Sequence, residues 1–252
     1  MIEIRNITKK YGNKTVVDNV SFNIEEGKIT SLIGPNGAGK STILSLLTPV
    51  GKKDSGQVFI DSKKLEDWDK KELSKKIAIL KQSNNLNIRL TIKELVEFGR
   101  FPYCDGRLKK EDHKFVEEAI NYMGLDEFKD RYLDELSGGQ RQRAFIAMVI
   151  AQNTEYILLD EPLNNLDIKH SVEMMKVLRK LVKELNKTVV IVMHDINFAS
   201  CYSDNIVVMK EGKLVKNDIT DEVINKEFLE EIYEIDFEIK EIKENKICIY
   251  FE

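Results

Sequence analysis

Residues 1 to 33 alternate short β-rich runs, Ile2 to Ile7, Thr15 to Val17, Val20 to Ile24 and Ile29 to Ile33, with turn signals at Tyr11-Gly12-Asn13 and Glu26-Gly27. This pattern predicts several strands. A glycine-rich turn follows, and Ser41 to Leu47 then carries apolar residues at helical spacing before Pro49 and Gly51 stop it. Val58 to Ile60 reads as a further strand, residues 61 to 76 as a charged, solvated face, and Ile77 to Leu80 as a buried strand ending at Lys81-Gln82-Ser83. Thr91-x-x-Glu94 is a capping box opening a helix with Leu95, Val96 and Phe98; another helix covers about 112 to 123, with Gly124 placed to cap it.

From Glu155 onward, buried strands alternate with helices: Tyr156 to Leu159, Ile168 to Leu185, Thr188 to Met193, then strands at Ile206 to Met209 and Lys213 to Val215. Such alternation predicts an α/β protein with a mainly parallel sheet covered on both faces. The alternation Phe237-x-Ile239 and Ile247-x-Ile249-x-Phe251 about Glu244-Asn245 predicts a terminal hairpin.

Composition narrows the class. The chain has 252 residues, 42% hydrophobic and 33% charged, which suits a solvated globular protein and excludes disordered and fibrous ones. The formal net charge of −4 disfavours binding to a nucleic-acid backbone by bulk charge. Eleven acidic and four basic residues after position 220 make the tail an acidic appendage. The longest apolar run, Ala144 to Ala151, is far below the roughly 20 residues of a spanning helix, and the first residues lack a secretory pattern, so a cytosolic chain is expected. Cys104, Cys201 and Cys248 fit neither a disulfide framework nor paired metal-ligand spacing.

Three clusters carry chemistry. Gly34-Pro35-Asn36-Gly37-Ala38-Gly39-Lys40-Ser41 fits G-x-x-x-x-G-K-[ST] between an apolar strand and a helix, the context that motif requires. Its amides cradle phosphate oxygens, Lys40 adds charge toward the β and γ phosphates, and Ser41 reaches Mg²⁺. Tyr156 to Glu161 delivers two carboxylates to the end of a buried strand, where Asp160 is placed to hold Mg²⁺ and Glu161 to orient or deprotonate a water. Ser137-Gly138-Gly139-Gln140 has two readings: a capping box for the helix it opens, or a second anion site that a second chain in head-to-tail symmetry brings to the nucleotide. His194 ends the strand Val189 to Met193 at the ligand-bearing edge, and Tyr11 is either a base-stacking ring or an ordinary turn aromatic.

Taken in order, these motifs resemble the nucleotide-binding subunit of an ABC transporter, over nearly the whole chain. Gly34 to Thr42 looks like the Walker A loop, Gln82 the Q-loop glutamine, Leu136 to Gln140 the signature, Tyr156 to Glu161 the Walker B strand, Asn164-Asn165-Leu166-Asp167 the D-loop, and His194 the switch histidine. The resemblance implies a P-loop NTPase core with an N-terminal antiparallel β subdomain (residues 1–83 and 155–220), a helical subdomain (84–154) and the appendage (221–252). It implies ATP as substrate, bound by Tyr11, Asn36, Gly37, Ala38, Gly39, Lys40, Ser41 and Thr42. Mg²⁺ would sit on Ser41, Gln82 and Asp160, and Glu161, His194 and Gln82 would serve catalysis. It further implies a homodimer with Ser137, Gly138, Gly139 and Gln140 reaching the partner's ATP, peripheral on the cytoplasmic side of an integral-membrane permease and served indirectly by a substrate-binding protein. Glu97-Phe98-Gly99-Arg100-Phe101-Pro102-Tyr103 and Asp160 to Asp167 are similar to importers of ferric siderophores, haem or cobalamin, ferric siderophore first. The competing expectations are an ABC ATPase serving lipid extrusion or cell division, and a nucleic-acid-associated ABC ATPase, which would carry a basic stripe, a zinc module or a coiled-coil insertion.

Overall fold

The computed structural model describes residues 1–82, 88–104, 107–164 and 166–251; the expected boundary at 83/84 and Asn165 of the D-loop lie outside them. The elements in chain order are β1 (Ile2–Tyr11), β2 (Lys14–Ile24), β3 (Ile29–Ile33), α1 (Lys40–Leu46), β4 (Ser55–Ile60), β5 (Lys63–Lys64), α2 (Lys70–Lys76), β6 (Ile77–Leu80), α3 (Ile92–Glu97), α4 (Lys110–Tyr122), α5 (Gly138–Ala151), β7 (Tyr156–Asp160), α6 (Ile168–Leu185), β8 (Thr188–Val192), α7 (Ile196–Tyr202), β9 (Asn205–Lys210), β10 (Lys213–Ile219), α8 (Thr220–Val223), α9 (Lys226–Tyr233), β11 (Glu238–Ile242) and β12 (Asn245–Ile249). They gather into two compact units, Met1–Trp68 with Thr188–Glu252, and Asp69–Lys187.

In the first unit, β1 pairs antiparallel with β2 (Ile4↔Phe22) and with β4 (Ile4↔Val58). Ile2 and Ile4 fill one buried face, as a period of two requires. A register shift between Ile4 and Ile7, with Asn6 at φ 50°, inserts the extra residue that lets Ile7 reach the same face. The same irregularity corrects one expectation: Thr15 to Val17 and Val20 to Ile24 are not two strands but one, β2, bent at Asn19 (φ 49°). A second set of strands runs in the order β10-β9-β3-β8, with β3 parallel to both β8 and β9 and buried at all five positions. Burial on both faces is why β8 reads as an apolar run from Val189 to Val192, whereas β3 also buries Thr30 and Ser31.

The appendage belongs to this unit. Its hairpin pairs Ile239 with Cys248 about a turn in which Lys243 and Glu244 both have positive φ, the turn that matches strand twist. Helices α8 and α9 precede it, and the Asn225 side chain caps α9 by accepting from the Phe228 amide at 3.0 Å.

In the second unit β6 runs parallel to β7 (Leu80↔Leu159), and α3 and α4 pack on α5. Gly99 permits this packing: a Cβ there would lie 2.2 Å from the Met148 carbonyl oxygen of α5. Beside it, Arg100 is buried, bonds Asp112 at 3.0 Å and the Ala151 carbonyl at 2.8 Å, and has the rings of Tyr103 and Phe115 within 4.0 and 4.3 Å. The stretch expected as only a solvated face, 61 to 76, contains β5 and α2; Asp69 caps α2 by accepting from the Lys71 and Glu72 amides, and Leu73 is its one buried side chain. A single buried residue leaves almost no apolar periodicity to detect.

Among the described residues no helix is long and apolar enough to cross a membrane. The three cysteines are unpaired thiols, and burial pushes Cys248 up to about 11, which keeps it protonated.

Candidate functional site

Strand register brings the first cluster together. In the first unit Leu32 of β3 pairs with Val192 of β8 in parallel, and the Met193 amide donates to the Leu32 carbonyl at 3.1 Å. Two residues further along each strand stand Gly34, which opens the glycine loop, and His194. Both therefore leave the sheet at its carboxyl edge, the side on which α/β sheets hold ligands. Gly34, Gly37 and Gly39 all have positive φ, and a Cβ on Gly34 would lie 1.9 Å from the Met209 carbonyl oxygen. Only glycine makes that turn. Gly39 is the N-cap of α1, with no side-chain cap bond, so the loop's own backbone shapes the helix start.

Lys40 is 5% exposed, and its ammonium donates to the Gly34 carbonyl at 2.7 Å and the Pro35 carbonyl at 3.0 Å. Its charge is thus held at the centre of the loop, where a phosphate would compete with those carbonyls. His194 is exposed and immediately precedes Asp195, which caps α7 by accepting from the Asn197 and Phe198 amides at 2.8 and 3.0 Å. Tyr11 is 61% exposed with the Lys9 ammonium 5.2 Å from its ring centre, which leaves the ring open for stacking.

The second unit repeats the geometry. The parallel pairing Leu80↔Leu159 sets Gln82 and Glu161 at matching positions two residues past that pair, and the Gln82 amide nitrogen donates to the Glu161 carboxylate at 2.6 Å. Asp160, 8% exposed, ends the fully buried β7. Glu161 itself sits at φ 50°, a left-handed conformation that costs a side chain of this size on the order of 1–3 kcal/mol. Asn164 supports that conformation: its side-chain amide donates to the same carboxylate oxygen at 2.6 Å, and its backbone amide to the Glu161 carbonyl at 3.2 Å. The sequence alone assigned Asn164 no contact; the signal was a short turn with an amide three residues after the carboxylate. A little further on, Asp167 caps α6 through the His170 amide at 2.8 Å, and that bond holds its carboxyl below the usual range.

The two readings of Ser137 meet in the same unit. Its hydroxyl accepts from the Gln140 amide at 3.2 Å and the Gln140 side chain accepts from the Ser137 amide at 3.0 Å, a complete capping box at the start of α5. Ser137 and Gly138 are exposed, and the first turn carries no acidic residue to compete with an anion. Gln142 donates to the Pro162 carbonyl at 3.1 Å, tying α5 to the segment that carries Glu161.

A glycine loop wrapped about a buried lysine at the carboxyl edge of a parallel strand defines a nucleotide-binding protein of the P-loop class. The chain matches the ABC transporter family model over residues 17–164 and belongs to that family. It is 59% identical to the petrobactin import ATP-binding protein YclP of Bacillus subtilis, across all of both chains. It is 39% identical to the iron(3+)-hydroxamate import ATP-binding protein FhuC of the same organism, over 96% of this chain and 91% of that one. Among solved structures it resembles a dimeric ATP-binding cassette in a post-hydrolysis state bound to ADP and Pi, at 37% identity and TM-score 0.79, over 87% of this chain and 99% of that one.

Proposed function

We propose that this chain is the ATP-hydrolysing subunit of an importer of ferric siderophores, working as a homodimer on the cytoplasmic face of a separate permease. The observation that carries the hydrolytic role is the Glu161 carboxylate, gripped at 2.6 Å by both Gln82 and Asn164 at the end of β7. A carboxylate so oriented acts as the base that aligns and deprotonates the attacking water. The Lys40 loop takes the β and γ phosphates, Tyr11 stacks on the base, and Ser137, Gly138 and Gly139 of the partner copy meet the γ phosphate. His194 reports on that phosphate from the end of β8.

The Mg²⁺ donor set, the Ser41 hydroxyl, the Gln82 amide oxygen and the Asp160 carboxylate, consists of hard oxygens suited to that ion, and Asp160 is fixed at the end of a buried strand. The ion supplies neutralising charge to the phosphates when bound. Gln82, with its amide nitrogen on Glu161, couples nucleotide state to the helical segment that follows. There Ile88 and Phe101, 63% and 54% exposed, offer apolar anchors to a permease.

The siderophore assignment rests on the relatives named for petrobactin and iron(3+)-hydroxamate import. The test is to purify the chain with its permease, load vesicles with ATP, and follow radiolabelled ferric petrobactin and a ferric hydroxamate supplied with the binding protein. Accumulation of either that is lost with Lys40→Ala supports the reading. ATP-dependent release of lipid with no iron uptake overturns it.

A further inference from the structure

Tyr11 ends β1 with its ring 61% exposed, and the turn that follows carries Gly12 at φ 59°. A ring so placed turns about its side-chain torsions unless a neighbour holds it, and any freedom it loses on binding weakens affinity. The neighbour is Lys9. In a strand residues i and i+2 share a face, and the Lys9 ammonium lies over the Tyr11 ring, 5.2 Å from its centre.

Lys9 is itself held. Its side chain is only 13% exposed, and its ammonium pairs with the Asp54 carboxylate at 3.4 Å. Asp54, the residue before β4, is fixed in turn by the backbone on both sides of Lys9. Its carboxylate accepts from the Lys10 amide at 2.5 Å, and its own amide donates to the Thr8 carbonyl at 3.0 Å. The Lys10 bond, with the Lys9 charge adding to it, holds the Asp54 carboxyl below the usual range, so it meets the ammonium as an anion. Carboxylate, ammonium and ring thus stand in file: a cation tied to the β1–β4 edge covers one face of Tyr11, and the exposure of the ring leaves the other open.

We propose that Lys9 and Asp54 are positioning residues for the Tyr11 ring, holding one face on the Lys9 ammonium so that the other receives a nucleotide base, and that they strengthen binding of the base and not of the phosphates. Both act through Tyr11 and touch no nucleotide. The cation also draws π density to its own side, which leaves the far face less negative and better suited to stacking on an electron-rich purine. The proposal rests on reading Tyr11 as the base-stacking ring.

The experiment uses the full-length chain and measures dissociation constants for ATP and for inorganic tripolyphosphate, which lacks the base, together with melting temperature. Lys9→Met keeps the length of the side chain and removes its charge. It is expected to weaken ATP binding about three- to fivefold, the ordering of one side chain, and to leave tripolyphosphate binding unchanged. Lys9→Arg keeps a cation able to lie on an aromatic face and is expected to hold ATP affinity within about twofold of the parent. Asp54→Asn keeps an oxygen for the Lys10 amide but releases the ammonium. Its loss should fall on ATP alone, and combined with Lys9→Met it should add little, as members of one coupled unit do. Unchanged ATP affinity in Lys9→Met overturns the proposal, as does an equal loss of ATP and tripolyphosphate, which is the mark of a merely structural role. Tyr11→Ala separates the two readings: if it weakens ATP but not tripolyphosphate while Lys9→Met is silent, only the Lys9–Asp54 pair fails; if it too leaves ATP binding intact, base stacking by Tyr11 itself fails.

Discussion

The helix starts at α1 and α5, the two candidate anion sites, are held by opposite means. At α1 the backbone does the holding: Gly39 caps the helix from the left-handed region without a side-chain bond, and Gly34 is pressed against the Met209 carbonyl. At α5 side chains do it, Ser137 and Gln140 closing a reciprocal box. A backbone-held loop is formed before ligand arrives and tolerates no Cβ where φ is positive and space is absent. A box built of side chains can open, because the Gln140 amide can exchange the Ser137 hydroxyl for a phosphate oxygen. The first arrangement suits a site that retains nucleotide, and the second suits one that engages only when another subunit presents it.

The largest effect that tests this contrast is expected at Glu161. Glu161→Gln should slow hydrolysis by about 10²-fold or more while nucleotide binding survives, so that an ATP-bound dimer accumulates on sizing chromatography. A variant with wild-type turnover would remove Glu161 from its role. Lys40→Ala strikes the preformed loop itself, and nucleotide affinity should fall by about 10- to 100-fold, the loss expected for a charge-assisted hydrogen bond, together with turnover in a steady-state assay.

Position 137 sharpens the comparison at the other helix. Ser137→Arg fills the helix start, so it should abolish ATPase activity with a melting curve close to that of the parent. Ser137→Ala removes only the cap, at about 1 kcal/mol, or roughly 2–4 °C of melting temperature. If the two variants differ only in stability, α5 is capped and nothing more. The smallest effect is expected for Asn164→Ala, which leaves Gln82 on the Glu161 carboxylate and should reduce kcat about fivefold with KM for ATP little changed.

Much of this was legible along the chain, and the reason is local. The glycine loop, the Ser137 box, the Thr91 box and the apolar strand ending in Asp160 and Glu161 depend on residue types a few positions apart, so spacing alone points to them. The placement of the glycine loop after β3, and of Asp160 and Glu161 at the end of β7, follows from the parallel pairing within each unit. Asn164 lay at the limit of what could be read, since its contact with Glu161 spans three residues but needs the left-handed turn at Glu161 to close it.

The residues by themselves determined the local pieces: a glycine loop with its lysine, a pair of carboxylates at a strand end and a capped helix start at Ser137, each written in short-range spacing. Tertiary structure alone decided which distant groups hold those pieces in place. Asp112 reads as one more charge on a polar helix, yet folding buries it against Arg100 under Tyr103 and Phe115. Asn197 reads as one more polar residue on a short helix, yet folding ties it to the Cys248 backbone of the terminal hairpin, donating at 3.1 Å and accepting at 2.7 Å. Contacts between residues so far apart in the chain leave no periodicity, because they are made by the packing of whole elements and exist only once those elements have closed on one another.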